Sequence, residues 1–132
     1  MSFGSASMRP SAQAPCPCGD GAFGACCGPI LDGAAAPTAE RLMRSRYTAF
    51  VVGDAAHLVR SWHPRTRPDD VVADDGTVWR GLAIEGAEEH GDAATVTFRA
   101  SWRQHGVDGE LRERSRFVRR GGRWVYVDGD VD

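Results

Sequence analysis

All four cysteines of this chain fall within twelve residues: Cys16-Pro17-Cys18, seven further residues, then Cys26-Cys27. That placement constrains the fold more than any other feature. A disulfide framework spreads its cysteines to close long loops; thiols this close can staple only their own segment. Four clustered thiols read better as one metal site in a reducing compartment. Zinc takes four such ligands, here Cys16, Cys18, Cys26 and Cys27, in a tetrahedron at about 2.3 Å each. Gly19 and Gly21 allow the tight wrap this needs, and Pro17 and Pro29 reduce the disorder lost on closure. An iron–sulfur cluster uses the same four thiolates, and four unrelated free thiols are the remaining alternative.

The rest of the chain divides by pattern. Residues 1–14 are rich in Ser, Ala, Pro and Gln and read as a disordered tail. Residues 15–30 are the cysteine knuckle, 31–37 a linker, and 38–132 the main domain. Thr38 is a helix N-cap with Glu40 in the first turn. Leu42, Met43, Tyr47, Phe50 and Val51 recur at helical spacing. Gly53 ends that helix and Asp54 caps a second, whose apolar side is Leu58, Val59 and Trp62 and which Pro64 stops. Residues 65–76 form a polar loop. Strands follow: Val78-Trp79 and Leu82–Ile84 separated by Arg80-Gly81, an alternating run over 95–102, another over 110–119, and a Gly121-Gly122 hairpin turn into 123–127. Helices followed by an antiparallel meander predict an α+β fold.

Alternation also assigns faces. Val96, Phe98, Ala100 and Trp102 share one face, and Leu111, Glu113, Ser115 and Phe117 share another. If the helices cover these, Glu113 points inward and needs a partner. Arg46, on the Leu42 and Phe50 side of the first helix, is the expected internal cation, with Tyr47 beside it. His63 closes the second helix, either as a cap for its carbonyls or as an acid–base group partnered with Glu113. His57, His90 and His105 sit in surface-like settings.

Charge is uneven. Residues 41–67 hold six Arg and one Asp, and residues 68–92 hold eight acids and one Arg. The net charge of −2 argues against a generic polyanion binder. No apolar run approaches the roughly 20 residues that cross a bilayer, and the N-terminus has no signal-peptide h-region. The expectation is a cytoplasmic protein without membrane insertion.

CPCG followed by CCGP is similar to the SEC-C motif, a zinc knuckle also found in the SecA preprotein translocase. The loop here is one residue shorter than the usual eight and carries Phe23 but no basic residue. The segments LMRSRYTAF (42–50), SWHPRTRP (61–68), WRGLAI (79–84), ERSRF (113–117) and RWVYVDGD (123–130) together resemble the bacterial YchJ family. That resemblance implies a SEC-C knuckle followed by a cone-shaped nuclear-transport-factor-2-like domain, with helices packed on a curved antiparallel sheet. It implies no particular reaction, and it leaves room for a homodimer formed through the open sheet face.

Two functions compete. One is a zinc-stabilised module that binds a protein partner or a small ligand, with Arg46, Tyr47, Trp62, Trp79 and Trp102 as the ligand-binding candidates. The other is a small-molecule enzyme using the cone, with His63 and Glu113 as the catalytic pair and tryptophans, Trp124 included, as walls. A third reading, nucleic-acid or ribosome binding through the knuckle and the Arg112/Arg114/Arg116 stripe, is disfavoured by the acidic segment 68–92.

Overall fold

The computed structural model describes residues 9–132. The knuckle opens with Pro15 bridged antiparallel to Ala22 and a turn that returns Cys16 N–H to Gly21 O at 2.9 Å. Gly19 and Gly21 both have positive φ there, which a side chain would strain. A single 3₁₀ turn, Phe23–Ala25, leads into α1, Cys27–Leu31. Residues 9–14, expected as tail, are tied to the knuckle instead. Phe23 N–H donates to Ala14 O and Gly24 N–H to Ala12 O, both at 2.9 Å, and Arg9 pairs with Asp32. Residues 1–8 of that expected tail lie outside the described residues.

Helix α2, Ala39–Val52, begins where the Thr38 side chain accepts from Arg41 N–H and ends at Gly53 with φ 79°. Its first amide, Ala39 N–H, also donates to Glu89 Oε2 at 3.0 Å, an acid supplied by the sheet to the positive end of the helix. Helix α3, Ala55–Arg60, is capped by Asp54, which accepts from His57 N–H. It stops before Pro64 because the next residues turn to pairing with the sheet. His63 N–H donates to Tyr126 O and Tyr126 N–H to Ser61 O, each at 2.8 Å. This parallel bridge from Trp62 to Tyr126 covers part of an edge strand.

Four antiparallel strands follow in sequence order: β1 Val78–His90, β2 Ala93–Gln104, β3 Val107–Arg120 and β4 Arg123–Val131. The two short strands expected before residue 85 are one strand. Register shifts after Trp79 and after Ile84 each add a residue to β1 without ending the pairing. The alternation of β2 is as expected: Val96, Phe98 and Ala100 are at most 5% exposed while Arg99 and Ser101 face out. Phe117 and Ser115 continue that inner face on β3. Gly121 and Gly122 both adopt positive φ in the last hairpin, as a two-residue turn of this twist requires.

The core is continuous from knuckle to sheet. Buried Cys18, Cys27, Phe23 and Leu31 pack in one cluster with Leu42, Met43 and Ala49 of α2 and with Val96, Phe98 and Phe117 of the sheet. The chain is therefore α+β, with α2 clamped between a cysteine knuckle and a four-stranded meander. No helix among the described residues is long and apolar enough to cross a membrane.

Candidate metal centre and sheet cavity

The four sulfur atoms lie within 4.8 Å of one another, and all four cysteines are buried. Sγ of Cys18 and Cys26 are 3.5 Å apart, and those of Cys26 and Cys27 3.9 Å. A tetrahedral ion with 2.3 Å bonds needs sulfur separations of about 3.8 Å, so the donor set fits one thiophilic ion. The thiols do not titrate alike. Cys18 is drawn down to about 5, chiefly by the hydrogen bond from the Cys27 thiol. Cys26 is pushed up to about 12 by burial first and then by Cys18. Cys27 is pushed up as well, by its hydrogen bond to Cys18 and by burial. Four thiolates in this space repel, and a cation is what lets all four lose their protons.

Helix α2 supplies the outer contacts, which sequence reasoning missed. Thr48 Oγ1 donates to Cys27 Sγ at 3.3 Å and lies 3.9 Å from Cys16 Sγ. Arg44 Nη1 donates to Cys18 O at 3.0 Å while its Nε holds Glu40. Both residues stood in plain sight as parts of an amphipathic helix; only the fold shows that one side of α2 faces the sulfurs. Such groups orient metal ligands and tune their charge.

On its other side α2 roofs a cavity of about 230 Å³ against the concave sheet. Arg46 is 4% exposed and lines it. Its guanidinium lies 4.8 Å from the Trp62 ring and 4.6 Å from the Tyr126 ring. Nη1 donates to Ser61 Oγ at 2.7 Å and to Leu58 O at 3.0 Å. Burial lowers its pKa to about 10, against the pull of Tyr126 and Glu113, so it stays charged. Glu113 points inward as expected, but the expected direct Arg46–Glu113 ion pair is absent among the described residues. Glu113 Oε2 instead accepts from Ser115 Oγ at 2.6 Å and from Tyr126 Oη at 3.0 Å. The two charges meet through the Tyr126 ring: π face toward the cation, hydroxyl toward the carboxylate. Burial first, then Glu113, raises the Tyr126 phenol beyond its ordinary range, so it remains a donor.

Other candidates fall as follows. Trp62 and Trp79 line the cavity with Arg46 and Glu113; Tyr47 and Trp102 do not. Tyr47 is core, edge-on to Trp79 at 6.1 Å. Trp102 lies over Gly109, where its ring leaves no room for a Cβ. Trp124 lines a different cleft. His63 is outside the cavity, beside Val118 and Val127, with Nδ1 accepting from Arg65 N–H at 3.0 Å. The His63–Glu113 acid–base pair is thus not assembled: consecutive strand residues face opposite sides, and Val118 is on the side away from Phe117. His57, expected near the surface, is 3% exposed. Tyr126 and Ser115 were missed as cavity residues.

Comparison with known proteins places this architecture. Residues 38–129 match the family described as YchJ, middle NTF2-like domain. A UPF0225 protein of Streptomyces coelicolor is 55% identical over 122 residues, covering 88% of this chain and 94% of its own. One from Cupriavidus metallidurans is 49% identical over 126 residues, 89% of each chain. The solution structure of a SEC-C motif containing protein from Rhodopseudomonas palustris superposes with a TM-score of 0.80 at 32% identity, over 89% of this chain and 98% of that one. A crystal structure of a SEC-C motif containing protein from Psychrobacter arcticus gives 0.76 at 25% identity, over 89% and 82%. With its clustered cysteines packed on an NTF2-like domain, the chain belongs to the YchJ family, the UPF0225 proteins.

Proposed function

We propose that the chain is a zinc-stabilised binding module whose cavity takes a small, largely apolar guest. The observation that carries this is the state of the two charges lining the cavity. Arg46 is held by a carbonyl, a hydroxyl and two ring faces, and Glu113 by two hydroxyls. Among the described residues no imidazole lines the cavity. Groups fixed in this way orient a guest and shape its pocket; they are not free to pass a proton to it. Zinc is favoured for the knuckle because four buried thiolates at tetrahedral spacing suit it, and its binding supplies on the order of 10 kcal/mol to ordering such a segment.

The nucleic-acid reading through the β3 stripe has less support. Arg112 is held by Glu85 at 2.7 Å and by Asp132, and Arg116 by Asp128 at 2.6 Å and Asp130 at 2.7 Å.

Two measurements test the proposal. Native mass spectrometry of protein kept reduced and free of chelators should find one zinc per chain. Titration with indole, followed by amide and indole N–H signals, should shift Trp62, Trp79 and the Arg46 side chain saturably. Protein that is metal-free and refuses to load overturns the zinc assignment. Absence of saturable shifts at those three residues overturns the cavity's role.

A further inference from the structure

A second concavity, about 370 Å³, lies between the end of α1 and the start of β4, and the cavity described above does not include it. Arg60 and Arg123 line it, and each is anchored on a backbone carbonyl of the same turn. Arg60 Nη2 donates to Leu31 O, and Arg123 Nη1 donates to Gly33 O at 3.0 Å. Carbonyls two residues apart bring the two guanidiniums to one rim. Each spends only part of its five-donor fork on its anchor.

Neither arginine has a carboxylate within 4.0 Å among the described residues, whereas Arg99, Arg103, Arg112 and Arg116 on the sheet are all paired. The acid nearest in sequence to the anchors, Asp32, is held by Arg9 at 2.7 Å. The surroundings share this imbalance. Residues 55–67 and 117–127 contain six Arg and no Asp or Glu, and of the six only Arg119 has an acidic partner among the described residues, Glu89 and Asp92 at 3.9 Å. Arg120, paired with Arg123 across the hairpin, adds a further positive charge beside the rim.

Beneath the rim, His57 positions Arg60. Ser45 Oγ donates to Leu42 O at 2.7 Å, so it must accept from His57 Nε2–H at 2.9 Å. That leaves His57 Nδ1 as an acceptor facing Arg60 Nη2 at 3.3 Å. Arg60 is therefore held between an imidazole and a carbonyl. The remaining lining is apolar, from Ile30, Leu42 and Trp124, except for Ser61, whose hydroxyl is already donated to His57 O at 2.6 Å.

We infer that this cleft binds an organic phosphate, the paired guanidiniums taking the anionic head and the apolar floor taking its body. Planar forks suit the three oxygens of a phosphate monoester, and a body lying along the apolar lining excludes water from the contact.

The test is titration of the full-length, metal-loaded protein with phenyl phosphate and with inorganic phosphate, followed by calorimetry and by the Arg60, Arg123 and Trp124 side-chain signals. Phenyl phosphate should bind about tenfold more tightly than inorganic phosphate, since its ring adds buried apolar area. Arg123→Gln, on an exposed hairpin and safe for folding, should weaken binding at least tenfold, as should Arg60→Gln if it folds. Arg114→Gln, an equal charge change on another part of the surface, should leave affinity unchanged. Equal weakening by Arg114→Gln, shifts that never saturate, or binding of polyuridylate without binding of phenyl phosphate overturns the inference.

Discussion

His57 sets a measurable acid limit on this fold. Its ring is buried, and burial first, then the charges of Arg60, Arg46 and Arg9 against the opposing Asp54, pushes its pKa from 6.5 down to about 4. The folded value is the lower one, so between pH 6.5 and 4 the unfolded chain binds the extra proton. Stability is therefore lost as pH falls through that window. The loss from this single group is roughly 2 kcal/mol between about pH 7.5 and pH 5, approaching about 3 kcal/mol in stronger acid. Protonation also removes the Nδ1 acceptor that faces Arg60 and places two cations side by side. Other groups titrate too, and any metal held by cysteine thiolates is released in acid, so the comparison needs a partner variant. His57→Gln retains a donor for Ser45 Oγ and does not titrate. Urea melts of both proteins at the two pH values isolate the imidazole. The wild type should lose roughly 2 kcal/mol more than His57→Gln on acidification. Equal losses would refute the argument, and so would an NMR titration placing His57 near its ordinary value.

Three further outcomes follow from the contacts. Cys27→Ser should abolish one-to-one metal binding and lower the melting temperature of the whole chain, because Cys27 packs in the same core as Leu42 and Ala49; zinc content and calorimetry check this. Arg46→Leu should cost about 1–3 kcal/mol in chemical denaturation despite removing a buried charge, since Ser61, Leu58 O and the Trp62–Tyr126 cage lose their shared partner. Gly109→Ala should destabilise by about 1–3 kcal/mol and shift the Trp102 fluorescence, because the new methyl would sit 2.1 Å from the indole ring.

Much of the architecture was legible from residue pattern. The cap at Thr38, the stop at Gly53, the cap at Asp54 and the inward face of β2 all follow from local rules that tertiary context here reinforces. The cysteine cluster was legible for the same reason: its ligands are nearly contiguous. What escaped depends on register or on distant partners. β1 looked like two strands because bulges at Arg80 and Glu85 break its period without breaking its ladder. His57 looked exposed because α3 has only six residues, too few for periodicity to show which side is buried. Glu113 announced an inward charge correctly, yet the natural guess of an Arg46 ion pair was wrong. The buried guanidinium and the half-buried carboxylate were each satisfied by neutral groups, and Tyr126, whose position depends on the register shift after Arg116, stands between them.

The hydroxyl of Thr48 carries a practical lesson about excision. A protein trimmed to begin at Thr38 would keep every residue of the larger fold yet strip α2 of the sulfurs against which that hydroxyl and the neighbouring apolar side chains are seated. The seam visible in the primary structure near residue 37 is not a seam in cohesion. The cysteine segment serves as one wall of the building rather than as a porch.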